Sequence, residues 1–129
     1  MVREVRKEDS IKFIKKAEEF YYSALENYQK QRFNVSIFDS SQSIILANDA
    51  LCIFNLGRRA SKNHREAIRL HVQALIGRKS KKEIIAEALE KRGEFGYTEK
   101  RTTKKEANLL LIRAKRFLDW VKGNIGTDI

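Results

Sequence analysis

The chain has 129 residues and a net charge of +10 at pH 7, with 42% hydrophobic and 34% charged residues. This length suits one domain with a packed hydrophobic interior. No run of 18 apolar residues occurs and no apolar stretch follows the charged N-terminus, so we expect neither a membrane span nor a signal peptide. The positive charge favours a polyanionic partner; the alternative is that it serves solubility alone.

Five helices are predicted, because the chain lacks proline and its glycines fall between segments of helical period or after the last one. In the first segment, residues 10–31, apolar residues recur at steps of three and four, which indicates an amphipathic helix. The second segment, residues 33–55, contains no Lys or Arg, and its only charged residues are Asp39 and Asp49. It is apolar on several sides, so we expect the central helix of a bundle, a subunit interface, or both.

Small and apolar residues of the second segment carry two further predictions. A stripe of small residues should let another helix approach closely: Ser36, Ser40, Ser43, Ala47 and Ala50. Cys52, the single cysteine, lies in an apolar run, which predicts a buried thiol rather than a nucleophile. Because a lone cysteine cannot form an internal disulfide, we expect a reducing, cytoplasmic environment.

The third helix is predicted at about residues 62–76, after Gly57 ends the second. Ser61 is its candidate N-cap, because a serine hydroxyl can accept hydrogen bonds from the free N–H groups of a first turn. The helical period predicts that its inward face consists of His64, Ile68, His71, Val72 and Leu75.

The capping-box pattern Ser/Thr-x-x-Glu marks two further helix starts, at Ser80 and Thr103. The first opens a short fourth helix, and the second opens a strongly amphipathic fifth helix that ends before a frayed tail from Gly123. Residues 92–102 contain two glycines and no helical period, so we predict a loop there. Since no run alternates with the period of a strand, the predicted fold is an all-α, up-and-down antiparallel bundle of four to five helices.

Positive charge is concentrated in residues 58–82, the basic segment, where nine Lys or Arg face the single acid Glu66 and supply +8 of the net +10. Free N–H groups and the dipole at the start of the third helix add positive potential, which suits phosphate. We therefore predict a nucleotide- or RNA-binding edge, and the alternative is a solvent-facing strip without a ligand. The predicted binding residues are Arg58, Lys62, Arg65, Arg69, Arg78 and Lys79.

The two histidines, His64 and His71, are seven residues apart, too far for an i, i+4 metal pair, and no cluster of Cys or acids completes a site. We expect no metal and no cofactor. Arg59 and His64 are a candidate catalytic pair for RNA cleavage, in which the imidazole moves a proton and the guanidinium stabilises charge on the phosphate. The alternatives are a helix-start role for His64 and a core or interface role for His71.

Two stretches resemble the HEPN domains (higher eukaryotes and prokaryotes nucleotide-binding), especially their short stand-alone prokaryotic kind. Residues 17–51, from AEEFYYSALENY to SIILANDAL, resemble the opening helical hairpin of that family. Residues 97–121, YTEKRTTKKEANLLLIRAKRFLDWV, resemble its last loop and helix. The resemblance covers about residues 10–122, which we take as the core of a single domain spanning 1–129.

The resemblance implies a bundle of four to five helices that is commonly dimeric. Many members pair with a minimal nucleotidyltransferase, often as toxin and antitoxin. Several members are ribonucleases with an Arg-x4-6-His motif, which Arg59 and His64 match in spacing, although that motif usually lies later in the chain.

Three functions follow as expectations. The preferred one is a dimeric nucleotide- or RNA-binding domain that works with such a partner. The second is a metal-independent ribonuclease. The third is a non-catalytic interaction module that uses the small-residue stripe as its contact face.

Overall fold

The computed structural model describes residues 2–4, 6–60 and 64–125, and within them the chain forms a bundle of five α-helices. The helices are α1 Ser10–Gln29, α2 Phe33–Leu56, α3 His64–Ala74, α4 Lys82–Gly96 and α5 Lys104–Ile125. A 3-10 turn at Lys7–Asp9 precedes α1. The predicted all-α helical bundle is confirmed. None of the described helices is long and apolar enough to cross a membrane.

The central helix of the bundle is α2, as its lack of charge predicted. Fourteen of its 24 residues are buried, and α1, α3, α4 and α5 all pack against it. It ends at Gly57, whose φ of 69° is the left-handed conformation that glycine adopts without strain. The thiol of Cys52 is buried, as predicted, and its burial raises its pKa.

The small-residue stripe of α2 packs against α1 within the chain. Ser36 Oγ donates a hydrogen bond to the Ala24 carbonyl at 2.9 Å, and Ser43 Oγ donates one to the Ala17 carbonyl at 2.7 Å. Close helix approach is therefore confirmed. The hypothesis that this stripe is the contact face of an interaction module is wrong, because all five of its residues are buried within the chain.

The buried face of α3 agrees only in part with the predicted one. His71 and Leu75 are buried as predicted, but His64 is exposed and Val72 is 43% exposed. Leu70 and two alanines are buried instead. Amide side chains of α2 fix this orientation, because Asn48 donates to the Ala67 carbonyl and Asn55 donates to the Ala74 carbonyl. The candidate N-cap Ser61 lies outside the described residues.

The predicted loop over residues 92–102 is wrong in its first part, because α4 continues through Gly93 to Gly96. Phe95 holds this last turn in place, since its ring is buried against the core. A Cβ at Gly96 would overlap the Phe38 ring, so glycine lets α4 lie close to α2. Residues beyond Gly96 do form the connection to α5.

The two predicted capping boxes differ in outcome. The first is wrong, because α4 begins at Lys82 with Lys81 as an N-cap that makes no side-chain bond. In the second, the Glu106 N–H donates to Thr103 Oγ1 at 3.1 Å, as a capping box requires. The Glu106 carboxylate instead accepts a hydrogen bond from Lys91 Nζ at 2.8 Å. The predicted fraying from Gly123 is also wrong as far as Ile125, which is buried in α5.

Two short strands, which the sequence did not predict, pair with each other, one before α1 and one directly after α2. Strand β1 is Val2–Glu4 and strand β2 is Arg58–Ala60, and they run antiparallel with Arg3 opposite Arg59. Three residues are too few to display a period of two, and the partners lie far apart in the sequence. The pairing fixes the backbone that carries Arg59.

Candidate functional site

A cleft of about 310 Å³ lies along α2, between α1 and α4, with β2 and the start of α3 at one end. We call it the α2 cleft. Its lining residues are Phe13, Lys16, Gln42, Ile45, Leu46, Asp49, Arg59, Ala60, His64, Ala67, Leu89 and Arg92. Five elements of the fold therefore converge on one concave surface, which is the arrangement expected of a small-molecule site.

The predicted catalytic pair lies in this cleft. Arg59 is the middle residue of β2, and its guanidinium carbon is 5.2 Å from the centroid of the Phe13 ring. His64 is the first residue of α3, and its exposed side chain also lines the cleft. Residues of a strand and of the following helix therefore face the same space.

The floor of the cleft contains a buried carboxyl group, Asp49. Its residue is 8% exposed, and burial raises the pKa of Asp49 from 3.8 to about 7, against the opposing effect of the nearby charges of Arg59 and Arg92. Desolvation therefore outweighs two cations at this position. Near neutral pH the carboxyl group is populated both as a hydrogen-bond donor and as an acceptor.

Three cations line the cleft. Arg59 of β2 and Arg92 of α4 act on the Asp49 carboxyl group, and Lys16 lines the cleft from α1. Arg92 Nη1 donates a hydrogen bond to Gln42 Oε1 at 3.1 Å, which orients the guanidinium over α2. Because the lining contains three cations and one partly protonated carboxyl group, the cleft attracts an anion.

The apolar part of the lining adds a second property. Phe13, Ile45 and Leu46 provide a partly buried surface beside the charged groups. A ligand with a flat ring and a phosphate would place the ring on this surface and the phosphate on the cations. Among the residues that the structure describes, no three His, Cys, Asp or Glu side chains form a group that could hold a metal ion.

Of the predicted binding residues that the structure describes, none lines the α2 cleft. Arg58 lies in β2 opposite Glu4, and Arg65 and Arg69 are exposed on α3. Arg78 and Lys79 are exposed beyond α3, and Lys62 lies outside the described residues. The basic segment is therefore divided, with one end at the cleft and the other at the connection between α3 and α4.

His71 has a structural position, in agreement with the predicted core or interface role. It is fully buried, its Nε2 accepts a hydrogen bond from the Lys81 N–H at 2.9 Å, and its Nδ1 lies 2.9 Å from Asn48 Oδ1. Because Nε2 is the acceptor, Nδ1 carries the proton and donates to Asn48. Burial lowers the pKa of His71 from 6.5 to about 4, so the ring is neutral at neutral pH.

The sequence interpretation missed three cleft residues, Lys16, Asp49 and Arg92. A signal existed for Asp49, since it is one of two charged residues in a helix that is otherwise uncharged. No sequence signal marked Arg92, because the glycines at 93 and 96 indicated a loop where α4 continues. Lys16 resembles any lysine on the outer face of an amphipathic helix.

Comparison with known families gives one match. The family model of the HEPN domain matches residues 11–124, nearly the whole chain, which confirms the resemblance drawn from the sequence. No curated protein matches the chain. The match relates the chain in general to functions that involve nucleotides or RNA. The chain belongs to the HEPN domain family.

Proposed function

We propose that this protein binds a nucleotide, or a nucleotide unit of RNA, in the α2 cleft. The phosphate lies against Arg59, Arg92 and Lys16, and the base or ribose lies against the apolar lining. The observation that carries this proposal is the convergence of Arg59 and Arg92, 33 positions apart in the sequence, on the buried carboxyl group of Asp49.

The charge balance of the cleft supports an anionic ligand. Ionised Asp49 offsets one of the three cations at most, and its raised pKa means that it offsets less near neutral pH. A bound phosphate would supply the missing negative charge and would form charge-assisted hydrogen bonds with the guanidinium groups. Asp49 is then placed to bond a ribose hydroxyl or a base N–H group.

Binding of fluorescently labelled single-stranded RNA and of AMP at low salt tests this proposal. Arg59→Ala should weaken binding about tenfold, because a charge-assisted hydrogen bond is lost. The matched control is Arg101→Ala, which removes the same charge from an exposed position outside the cleft. Equal losses in both variants, or no binding by the wild type, would contradict the proposal.

The proposal extends to assembly, where the family resemblance is its support. The protein acts as a homodimer and works with a partner such as a minimal nucleotidyltransferase, in a toxin–antitoxin arrangement. Light scattering at high micromolar concentration should give twice the chain mass of 15.1 kDa. A monomer at that concentration would contradict the dimer, and failure to co-purify with a nucleotidyltransferase encoded beside it would contradict the partner.

A second candidate function is metal-independent cleavage of RNA, because Arg59 and His64 both line the α2 cleft. In this reaction the ribose 2′-hydroxyl attacks the adjacent phosphorus, and the bond to the 5′-oxygen of the next nucleotide breaks. One proton leaves the 2′-oxygen and one joins the 5′-oxygen, and His64 would transfer one of them. Arg59 would stabilise the charge on the phosphate.

Cleavage assays in excess chelator separate this candidate from simple binding. Wild type should yield 2′,3′-cyclic phosphate ends, and His64→Ala should lose cleavage while it still binds RNA. Equal cleavage by both proteins, or none by either, would remove the ribonuclease candidate and leave the binding proposal in place.

A further inference from the structure

A second concave surface lies between the start of α4 and the middle of α5, away from the α2 cleft. Its volume is about 410 Å³, and its lining residues are Lys81, Ile84, Arg113, Arg116, Phe117 and Trp120. We call it the Trp120 pocket. It has no lining residue in common with the α2 cleft, and the proposal for that cleft leaves it unexplained.

The aromatic wall of this pocket is held rigidly by the core. Trp120 lies 5.5 Å from Phe117 and 5.9 Å from the buried His71, measured between ring centroids. Phe117 is 2% exposed, whereas Trp120 is only partly buried and keeps a surface open to the pocket. An indole fixed in this way is a preorganised platform on which a planar ring can stack.

The cations of the pocket are placed around this platform. Lys81 Nζ lies over the Trp120 ring, 5.2 Å from its centroid, and the Lys81 backbone N–H is held by His71 Nε2. A base that stacks on this face therefore takes the place of the ammonium group. Arg113 is paired with Glu87, and Arg116 is exposed one turn before Trp120 on α5. No acidic side chain is among the described residues that line the pocket, and Glu87 offsets the charge of Arg113, so Lys81 and Arg116 supply the net positive charge of the lining.

The second end of the basic segment also lies here. Arg78 Nη1 donates a hydrogen bond to Asn124 Oδ1 at 3.2 Å, and Asn124 in turn donates to the Trp120 carbonyl. This contact ties the connection between α3 and α4 to the end of α5, beside Trp120. Two residues of the basic segment therefore reach this end of the bundle, Lys81 in the lining of the pocket and Arg78 beside it.

We propose that the Trp120 pocket is a second nucleotide-binding site, in which a base displaces the Lys81 ammonium from the face of the Trp120 indole and stacks there, while Lys81 and Arg116 hold the phosphate. The combination of a rigid aromatic face, two cations and no lining acid matches the two halves of a nucleotide, a flat ring and an anion. The site rests on residues that the α2 cleft does not use, so it stands or falls independently of the function proposed there.

Trp120 is the only tryptophan of the chain, so its fluorescence reports on this pocket directly. Titration with AMP at low salt, corrected for absorbance with N-acetyltryptophanamide, should give saturable quenching. Adenosine should quench much more weakly because it lacks the phosphate, and inorganic phosphate should compete with AMP without quenching to the same extent. Arg116→Glu should weaken AMP binding about tenfold or more, because it replaces an attraction by a repulsion.

Two matched variants identify the source of the signal. Lys104→Glu reverses an exposed charge at the far end of α5 and should leave the quenching curve unchanged. Arg59→Ala removes a cation of the α2 cleft and should also leave it unchanged. Circular dichroism checks that each variant is folded. Absence of saturable quenching by AMP, an unchanged curve for Arg116→Glu, or an equal loss in Arg59→Ala would overturn the proposal.

Discussion

Two consecutive residues of α2 show how differently buried polar groups are used. Asn48 faces α3, where it bonds His71 and the Ala67 carbonyl, so that the polar atoms on this side are paired inside the protein. Asp49 faces the α2 cleft, where burial raises its pKa to about 7 and cations approach from other elements. The side of α2 at Asn48 therefore has a structural hydrogen-bond network, and the side at Asp49 has a charged surface suited to a ligand.

The largest expected effect comes from loss of the buried hydrogen bonds of His71. His71→Leu leaves the Lys81 N–H and Asn48 Oδ1 without their partner in a buried place, so it should lower the free energy of unfolding by about 2–4 kcal/mol. Urea denaturation measures this loss. The matched control is His64→Leu on the cleft side, whose exposed side chain should change stability by less than about 0.5 kcal/mol. Similar losses in both variants would remove the distinction.

The next effect concerns the packing of α4, the helix that carries Arg92 of the cleft, against α2. Gly96→Ala should lower the free energy of unfolding by about 1–3 kcal/mol, because the new Cβ overlaps the Phe38 ring and pushes α4 from α2. Gly93→Ala meets open space on the same helix and should raise stability by about 0.5–1 kcal/mol. Thermal unfolding of the two variants checks the sign of each change. Two changes of the same sign would show that α4 is not seated in this way.

The pH dependence of stability sharpens the comparison. The pKa of Asp49 is raised in the folded state, so the folded protein holds the extra proton between about pH 4 and 7, and stability should fall as the pH rises through this range. Asp49→Asn removes this dependence and should be more stable than wild type above pH 7, by about 1–3 kcal/mol. Urea denaturation across this range measures it, and a variant less stable than wild type above pH 7 would contradict the account.

His71 should make stability change with pH in the opposite direction to Asp49. Its pKa is lowered to about 4, so the unfolded chain binds more protons below about pH 6.5, and stability should be lost as the pH falls from 6.5 towards 4. The same denaturation series in His71→Leu should lose this acid-side dependence and keep that of Asp49. If His71→Leu still lost stability between pH 6.5 and 4, another titratable group would be the cause.

The fold was readable from the sequence because its strongest signals are local. An uncharged α2 and an amphipathic α5 can each be recognised within one window of residues. The end of α4 could not be recognised, because Phe95 packs its last turn through contacts distant in the sequence while the glycines nearby indicate a loop. The face of α3 was predicted only in part for a related reason, since amide groups of Asn48 and Asn55 orient the helix.

The candidate site was readable only in part. Arg59 and His64 are close in the sequence, so their spacing was visible, and they line one cleft. Lys16 and Arg92 come from helices on either side of α2, and only the packing of the bundle brings them to the same cleft as Asp49. The charge of the basic segment therefore indicated an anionic ligand. The binding residues predicted from it, however, lie on several surfaces of the protein.

The affinity of labelled RNA for Arg92→Ala, compared with Arg69→Ala, tests the central claim most directly. Both variants lose one positive charge, but Arg92 lies in the α2 cleft outside the basic segment, whereas Arg69 lies in the basic segment outside the cleft. The cleft account predicts about tenfold weaker binding for Arg92→Ala and less than about a twofold change for Arg69→Ala. The reverse order, with Arg69→Ala the weaker binder, would contradict it.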